Sequence, residues 1–325
     1  MFDLIAGTST GGILALALTK RSPRDRSQPQ YSAAELIDFY FENGPYIFEA
    51  NFCHQIPLLH IASDAVEPRF PVRALEAALR QKFGNMKLSD AITEVLIPSY
   101  DLRGVNLVNG GPKGVIEPDA GGTSVFFARW KAQHDPKHCD FYARDVARAT
   151  SAAPTYFEPF RIRPVRGGEW MEMIDGGVFA NSPAMCAYTE AIKTFGTEND
   201  FAVISVGTGE LKVPIDIQAA QHWGELGWAR PLVTIMMDGV SKTVDHELVN
   251  VLRHAEDAAG RYFRLQPELG KAHAEMADAS RENMEELRAV ANDYITNKTK
   301  EIDAICELLQ KGVQPQRPRA ATAKG

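Results

Sequence analysis

The sequence predicts an α/β fold, and three observations carry the prediction. Short apolar runs of strand length, such as EVLIPSYDL at 94–102 and FAVISV at 201–206, alternate with stretches of helical periodicity. The clearest of these strands stops at Gly207-Thr208-Gly209, a place for the chain to turn out of a sheet. The composition, 45% apolar and 24% charged over 325 residues, is that of a globular protein with a large core.

Taken in order, the chain opens on Phe2, Leu4, Ile5 and Ala6, a short apolar run read as a buried strand. Gly7, Ser9 and Gly11 follow in G-x-S-x-G spacing, then Gly12 and an apolar helical stretch at 13–18. Residues 20–30 form a polar, proline-containing loop. Ser32 precedes Ala33-Ala34-Glu35, the spacing of an N-cap with a capping-box glutamate, and Leu36, Phe39 and Tyr40 make one apolar helical face. Residues 51–69 are irregular, interrupted by Pro57 and Pro68, whereas 72–83 are periodic and end at Gly84, a helix stop. Strands at 94–102 and 125–130 flank a Gly-rich connection. A short helical piece at 145–151 comes before Ala153-Pro154, then a strand at 171–174 and a capped helix at 181–194 with Pro183 near its start. Beyond the strand at 201–206, a long helical region follows Pro231 and a further strand occupies 262–265. Ser280-x-x-Asn283 opens a final helix running to about Leu309. Residues 1–311 are therefore expected to form one folded unit, and the Gln/Pro/Arg/Ala/Lys tail at 312–325 a disordered end.

Charge and cysteine content narrow the class. A formal charge of −7 argues against nucleic-acid binding, which needs a concentrated basic surface. It gives no overall attraction to anionic membranes and leaves only transient peripheral contact through a local patch. Cys53, Cys139, Cys186 and Cys306 are scattered without C-x-x-C spacing, which favours reduced thiols over a disulfide framework or a zinc site. No window approaches the roughly 18 apolar residues of a spanning helix, and no basic region precedes the first apolar run. The expectation is a soluble, cytoplasmic protein.

The candidate chemistry begins at Ser9. A strand, a sharp turn and a helix are the context in which G-x-S-x-G presents a nucleophile. A side chain at Gly7 or Gly11 is expected to collide with neighbouring backbone, and the helix behind the turn aims free N–H groups at a developing oxyanion. A serine hydroxyl needs a base. The eight histidines offer no good one: His54 and His60 lie in the irregular segment, and His134 and His138 in a polar loop. The last two have i, i+4 spacing, but Pro136 between them forbids the helix that would converge them on a metal. His222 adjoins Trp223, and His246, His254 and His273 sit in helical sequence. Asp175 is the better partner, at the end of the apolar strand Met173-Ile174 and just before Gly176-Gly177. Asp-Gly also marks ordinary turns, but the helix start at Asn181-Ser182-Pro183 would hold this carboxylate between two elements.

Gly7-Thr8-Ser9-Thr10-Gly11-Gly12 together with Asp175-Gly176-Gly177 resembles the patatin-like phospholipases. Supporting stretches are ARATSAAPTYF at 147–157, IPSYDL at 97–102 and SVGTG at 205–209. The resemblance spans residue 2 to about 309 and is nearest to the bacterial soluble branch. It implies a three-layer α/β/α domain around a mainly parallel sheet. It also implies a Ser–Asp dyad without histidine, in which Ser9 is the nucleophile and Asp175 the general base, with no metal or organic cofactor. Gly7, Thr8, Thr10, Gly11 and Gly12 would form the elbow and oxyanion region, and Gly176 and Gly177 the aspartate loop. The substrate would be a phospholipid or another acyl lipid, cleaved through an acyl–Ser9 intermediate. The sequence departs from the family pattern at its front, where a G-G-G-x-[RK]-G oxyanion loop would precede the serine strand. Asn109-Gly110-Gly111-Pro112-Lys113-Gly114 imitates that composition but follows a different strand and contains Pro112, which has no N–H. The chain as written is thus expected to lack a first strand, oxyanion loop and first helix. Two alternatives stay open: acyl transfer to another alcohol, and a non-catalytic relative that binds lipid or a partner.

Overall fold

The computed structural model describes residues 2–49, 68–104, 121–210, 215–252, 261–270, 272–273 and 275–311. The irregular stretch at 51–67, the Gly-rich connection with 109–114, and the tail at 312–325 lie outside the described residues.

The organising strand is β2 (Glu94–Asp101), whose apolar run is buried along most of its length. One edge of its first half pairs in parallel with β1 (Leu4–Ala6), from Leu4↔Glu94 to Ala6↔Leu96. The same edge of its last three residues pairs antiparallel with β5 (Met171–Asp175), beginning at Ser99↔Asp175. Its other edge pairs antiparallel with β3 (Thr123–Ala128), and β4 (Phe160–Ile162) extends the sheet beyond β5. Between the last partner of β1 and the first partner of β5 stands Pro98. This gap is where two strands leave the sheet, and both leaving ends carry candidate site residues. A separate parallel pair joins β6 (Val203–Val206) to β7 (Tyr262–Leu265).

Helices layer the strands as α/β/α. The apolar α1 (Thr10–Leu18) and α5 (Ala143–Thr150) pack on β2 and on each other, while the one-turn α6 (Gly177–Ala180) meets β2 and α7 (Ala184–Phe195) meets β1 and β6. Parallel pairing is found at β1–β2 and β6–β7, and β3, β4 and β5 add antiparallel ladders. The link from β4 to β5, residues 163–170, is too short for a parallel crossover, which takes a dozen residues or more. Leu16, Leu79, Phe83, Leu88, Ile97 and Met173 lie at the centre of the core with essentially no exposure. Each such side chain contributes about 1.5–3 kcal/mol by burial.

Local signals account for most element ends. Ser32 accepts the Glu35 N–H while Glu35 accepts the Ser32 N–H, closing the expected capping box of α2 (Ala33–Ile47). The next helix, α3 (Val72–Phe83), stops at Gly84 with φ of 55°. Strand β3 lies two residues earlier than the expected 125–130, because Arg129 and Trp130 open a short helix, α4 (Arg129–His134). The Glu94 carboxylate accepts from the Trp130 N–H at 3.0 Å and holds that start. The helix expected at 181–194 begins only at Ala184, after the separate turn of α6. After a short helix, α8 (Ile217–Ala220), the long α9 (Glu225–Leu252) begins before Pro231 and takes it in. The final helix is two helices, α10 (Arg281–Asn297) and α11 (Thr299–Lys311), divided at Lys298. At the break the Thr299 hydroxyl lies 3.3 Å and 2.8 Å from the carbonyls of Ile295 and Thr296, satisfying the end of the first helix. Ser280 caps α10 as its spacing implied, accepting from the Asn283 N–H at 3.3 Å.

Candidate active site

The chain leaves β1 at Gly7, whose N–H donates to the Leu96 carbonyl at 3.2 Å. Ser9 then takes φ 55° and ψ −123°, a region strained for any residue with a side chain, and α1 begins at Thr10. Glycine is required at two places in this turn. A Cβ on Gly7 would stand 2.0 Å from the Gly11 carbonyl oxygen, and one on Gly12 2.8 Å from the Thr150 methyl. Gly11 differs from expectation: a Cβ there meets nothing within 4 Å, because this second helical position faces open space. The collision expected at Gly11 does not occur.

The turn is tied down on three sides. Thr8 donates its hydroxyl to the Ala180 carbonyl at 2.6 Å, fastening the elbow to α6. The Ser9 N–H donates to the Thr150 hydroxyl oxygen at 3.0 Å. The Ser9 carbonyl accepts from the N–H groups of Gly12 and Ile13 at 2.9 Å and 3.1 Å, starting the helical ladder. Thr10 opens α1, so its N–H has no acceptor within the helix and lies at the positive end of the helix dipole.

Asp175 arrives from β5, with only 5% of its surface exposed. Its N–H donates to the Ala152 carbonyl at 2.9 Å, and its Oδ1 accepts the Gly177 N–H at 2.7 Å. Gly176 must be glycine, since a Cβ would stand 2.3 Å from the Pro98 carbonyl oxygen. At Gly177 a Cβ would stand 3.1 Å from Asp175 Oδ1 itself. Burial pushes the Asp175 carboxyl up to about 6, and hydrogen bonds from the Ser9 hydroxyl and the Gly177 N–H hold it back from rising further. The two side chains singled out in the sequence, 166 positions apart, are thus brought close enough for the Ser9 hydroxyl to act on the Asp175 carboxyl. A carboxylate with this pKa is mostly ionised at neutral pH yet a much better proton acceptor than an exposed aspartate.

Two polar groups in the shell around the pair carried no signal on their own in the sequence. Ser99, fully buried on β2, donates to the Ile174 carbonyl at 2.7 Å beside Asp175. Thr150, fully buried at the end of α5, donates to the Pro98 carbonyl at 2.6 Å. Both belong to stretches singled out for family likeness, but a hydroxyl inside an apolar strand or helix face was the available clue. Arg148 on the same helix is 2% exposed, bonded to the Glu158 carbonyl at 2.9 Å and paired with Glu76 at 3.6 Å. It pins α5 to the chain that follows.

The bonds of the described histidines go to other groups. His134 bonds the Trp130 carbonyl, His138 pairs with Asp135, His246 with Asn250 and His273 with Asp278. Among the described residues no histidine, His222 included, is hydrogen-bonded to Ser9 or Asp175; His54, His60 and His254 lie outside them. Ser9 and Asp175 open on a cleft of about 3460 Å³, lined by Leu14, Val178, Phe201, Val206 and Met237 among others. That is larger than a typical small-molecule pocket of about 300–1,000 Å³ and its walls suit apolar chains. No described helix is long and apolar enough to cross a membrane.

Comparison with known proteins finds relatives for the chain. The family model described as "Patatin-like phospholipase" matches residues 1–188, the segment that holds both Ser9 and Asp175. "Patatin-like protein 2" of Arabidopsis thaliana is 29% identical over 317 residues, covering 90% of this chain and 73% of that protein. "Patatin-like protein 1" of Oryza sativa subsp. indica is 28% identical, covering 93% of this chain and 73% of that protein. "Probable inactive patatin-3-Kuras 1" of Solanum tuberosum is 29% identical, covering 92% and 77%. All three are plant proteins, and one is named as inactive at the same identity as the first. Overall identity therefore does not decide activity, and the site residues must.

Proposed function

The chain belongs to the patatin-like phospholipase family, and from that premise we propose that it hydrolyses carboxylic esters of lipids with Ser9 as nucleophile and Asp175 as its only base. Lipid acyl hydrolysis is the broad activity of the family. The dyad is our reading, and one observation carries it: a serine on a strained strand–helix turn stands beside a buried carboxylate whose pKa is pushed to about 6.

In this mechanism Ser9 Oγ attacks the acyl carbon while its proton passes to Asp175. The tetrahedral oxyanion forms at the head of α1, where the Thr10 N–H and the helix dipole favour negative charge. Collapse breaks the ester bond, and Asp175 returns the proton to the departing alcohol. Water then attacks the acyl–Ser9 ester, giving its proton to Asp175, and the second collapse releases the carboxylic acid and restores Ser9. Burial raises the basicity of Asp175, and the Gly177 N–H, bonded to its Oδ1, fixes its orientation. Gly7, Gly12, Gly176 and Gly177 bring the two strand ends this close.

Ser9→Ala is the direct test. The variant is expected to fold and to lose ester hydrolysis by about 10⁴-fold or more, as loss of a serine nucleophile does elsewhere. Undiminished turnover in folded Ser9→Ala would refute the assignment. Absence of turnover in the wild-type chain on every acyl ester tried would favour the non-catalytic reading instead.

A further inference from the structure

Thr150 stands at the end of α5 with no exposed surface, between the elbow and the aspartate loop. Its hydroxyl makes two bonds whose directions are forced. The Ser9 N–H can only donate, so the hydroxyl oxygen accepts it at 3.0 Å; the Pro98 carbonyl can only accept, so the hydroxyl proton goes there at 2.6 Å. We propose that Thr150 is a positioning residue for the reaction: through this two-bond relay its hydroxyl holds the Ser9 backbone in the conformation that keeps Oγ on Asp175. The inference rests on the reading of Ser9 as nucleophile.

Three features support it. Ser9 occupies a positive-φ conformation that persists only where its surroundings hold it, and its N–H is anchored by Thr150 alone among the described residues. The acceptor of the relay is also the atom that the aspartate loop packs on, since the Pro98 carbonyl is what forces Gly176 to be glycine. Pro98 falls where β2 has lost β1 and not yet gained β5, so its carbonyl is free to receive the hydroxyl. The nucleophile and the base are therefore registered against one carbonyl of β2. Without the hydroxyl, the Ser9 N–H and the Pro98 carbonyl would both be left unpaired in the interior. Relaxation of the turn would relieve both and carry Ser9 Oγ away from Asp175.

The Thr150 methyl also fills the space beside Gly12, so packing must be separated from hydrogen bonding. Thr150→Val keeps the shape and removes the hydroxyl; Thr150→Ser does the reverse. Turnover of a short-chain ester, its pH profile and thermal unfolding are measured for both, with Ser9→Ala in parallel. Thr150→Val is expected to lose about 10- to 100-fold in kcat with KM changed by about twofold at most. Its acid limb should move to higher pH, because the Ser9 hydrogen bond that holds the Asp175 carboxyl down is weakened. Thr150→Ser should stay within about threefold of the wild-type kcat. A folded Thr150→Val with wild-type kcat and an unmoved acid limb would overturn the proposal, as would Thr150→Ser as slow as Thr150→Val. Where Thr150→Val does not fold, Thr150→Ser decides alone: retained kcat upholds the role and lost kcat overturns it. Turnover that survives in Ser9→Ala removes the parent reading and this role together; a silent Ser9→Ala beside a fully active Thr150→Val removes this role only.

Discussion

At the scale of the residue, Asp175 carries a conflict between stability and function. Its carboxyl titrates near 6 in the fold against an ordinary 3.8, chiefly because burial penalises the charged form. Two consequences follow with definite signs. If Asp175 must be ionised to take the serine proton, kcat/KM should rise with pH through a midpoint near 6 and then level off. A pH profile measured from 4 to 9 checks this, and a midpoint near 4 would mean that another group limits the rate. The same shift bears on stability. Because the folded-state pKa is raised, the folded chain keeps a proton that the unfolded chain releases between about pH 4 and 6. Stability contributed by this group is full below pH 4 and falls as pH rises through 6, by about 3 kcal/mol at most. Asp175→Asn removes that penalty while its side-chain oxygen can still accept the Gly177 N–H. The variant should therefore lose turnover by orders of magnitude yet unfold at a higher temperature than wild type at pH 8, with no such gain at pH 4. A lower Tm at pH 8 would contradict the burial account.

At the scale of the element, the two glycines of G-x-S-x-G are not equivalent. Gly7 touches backbone that cannot move, whereas Gly11 sits in the first turn of α1 facing open space. Gly7→Ala should destabilise the fold by about 3 kcal/mol or prevent it from forming. Gly11→Ala should be neutral or stabilising by up to about 1 kcal/mol, since alanine suits a helix better than glycine. Denaturant unfolding of both variants decides, and equal losses would mean that the turn is packed otherwise. The contrast also explains what was readable beforehand. The strand, turn and helix around Ser9 are contiguous, so local pattern exposes them; Asp175 was legible because a strand end, two glycines and a helix start also adjoin it. Thr150 reaches Ser9 across 141 positions and Pro98 across 52, and only the folded sheet brings those groups together. The short strand β4 and the break at Lys298 were likewise illegible, the first because three residues carry no period, the second because helical periodicity runs on through it.

At the scale of the whole molecule, the site lies where strands leave the sheet, beside a broad cleft rather than inside a closed pocket. Its apolar walls predict a preference among esters. Each methylene buried along them is worth roughly 0.8 kcal/mol, close to fourfold in kcat/KM. For p-nitrophenyl esters from four to eight carbons, kcat/KM should therefore climb with chain length, even if only part of each methylene is buried. A flat or falling series would place the acyl chain outside the cleft. The net charge of −7 adds no general attraction to an anionic surface, so such a preference would have to come from the cleft itself.

The central claim is that Ser9 is the activated nucleophile and Asp175 what activates it, and covalent labelling tests it most directly. A fluorophosphonate probe is reacted with the wild-type chain and with Asp175→Asn, and the modified peptide is located by mass spectrometry. One adduct per wild-type chain is expected, on Ser9 in the N-terminal peptide, with labelling at least about 100-fold slower in Asp175→Asn. An adduct on any other residue, or equal labelling rates on Ser9 in both proteins, would contradict the account.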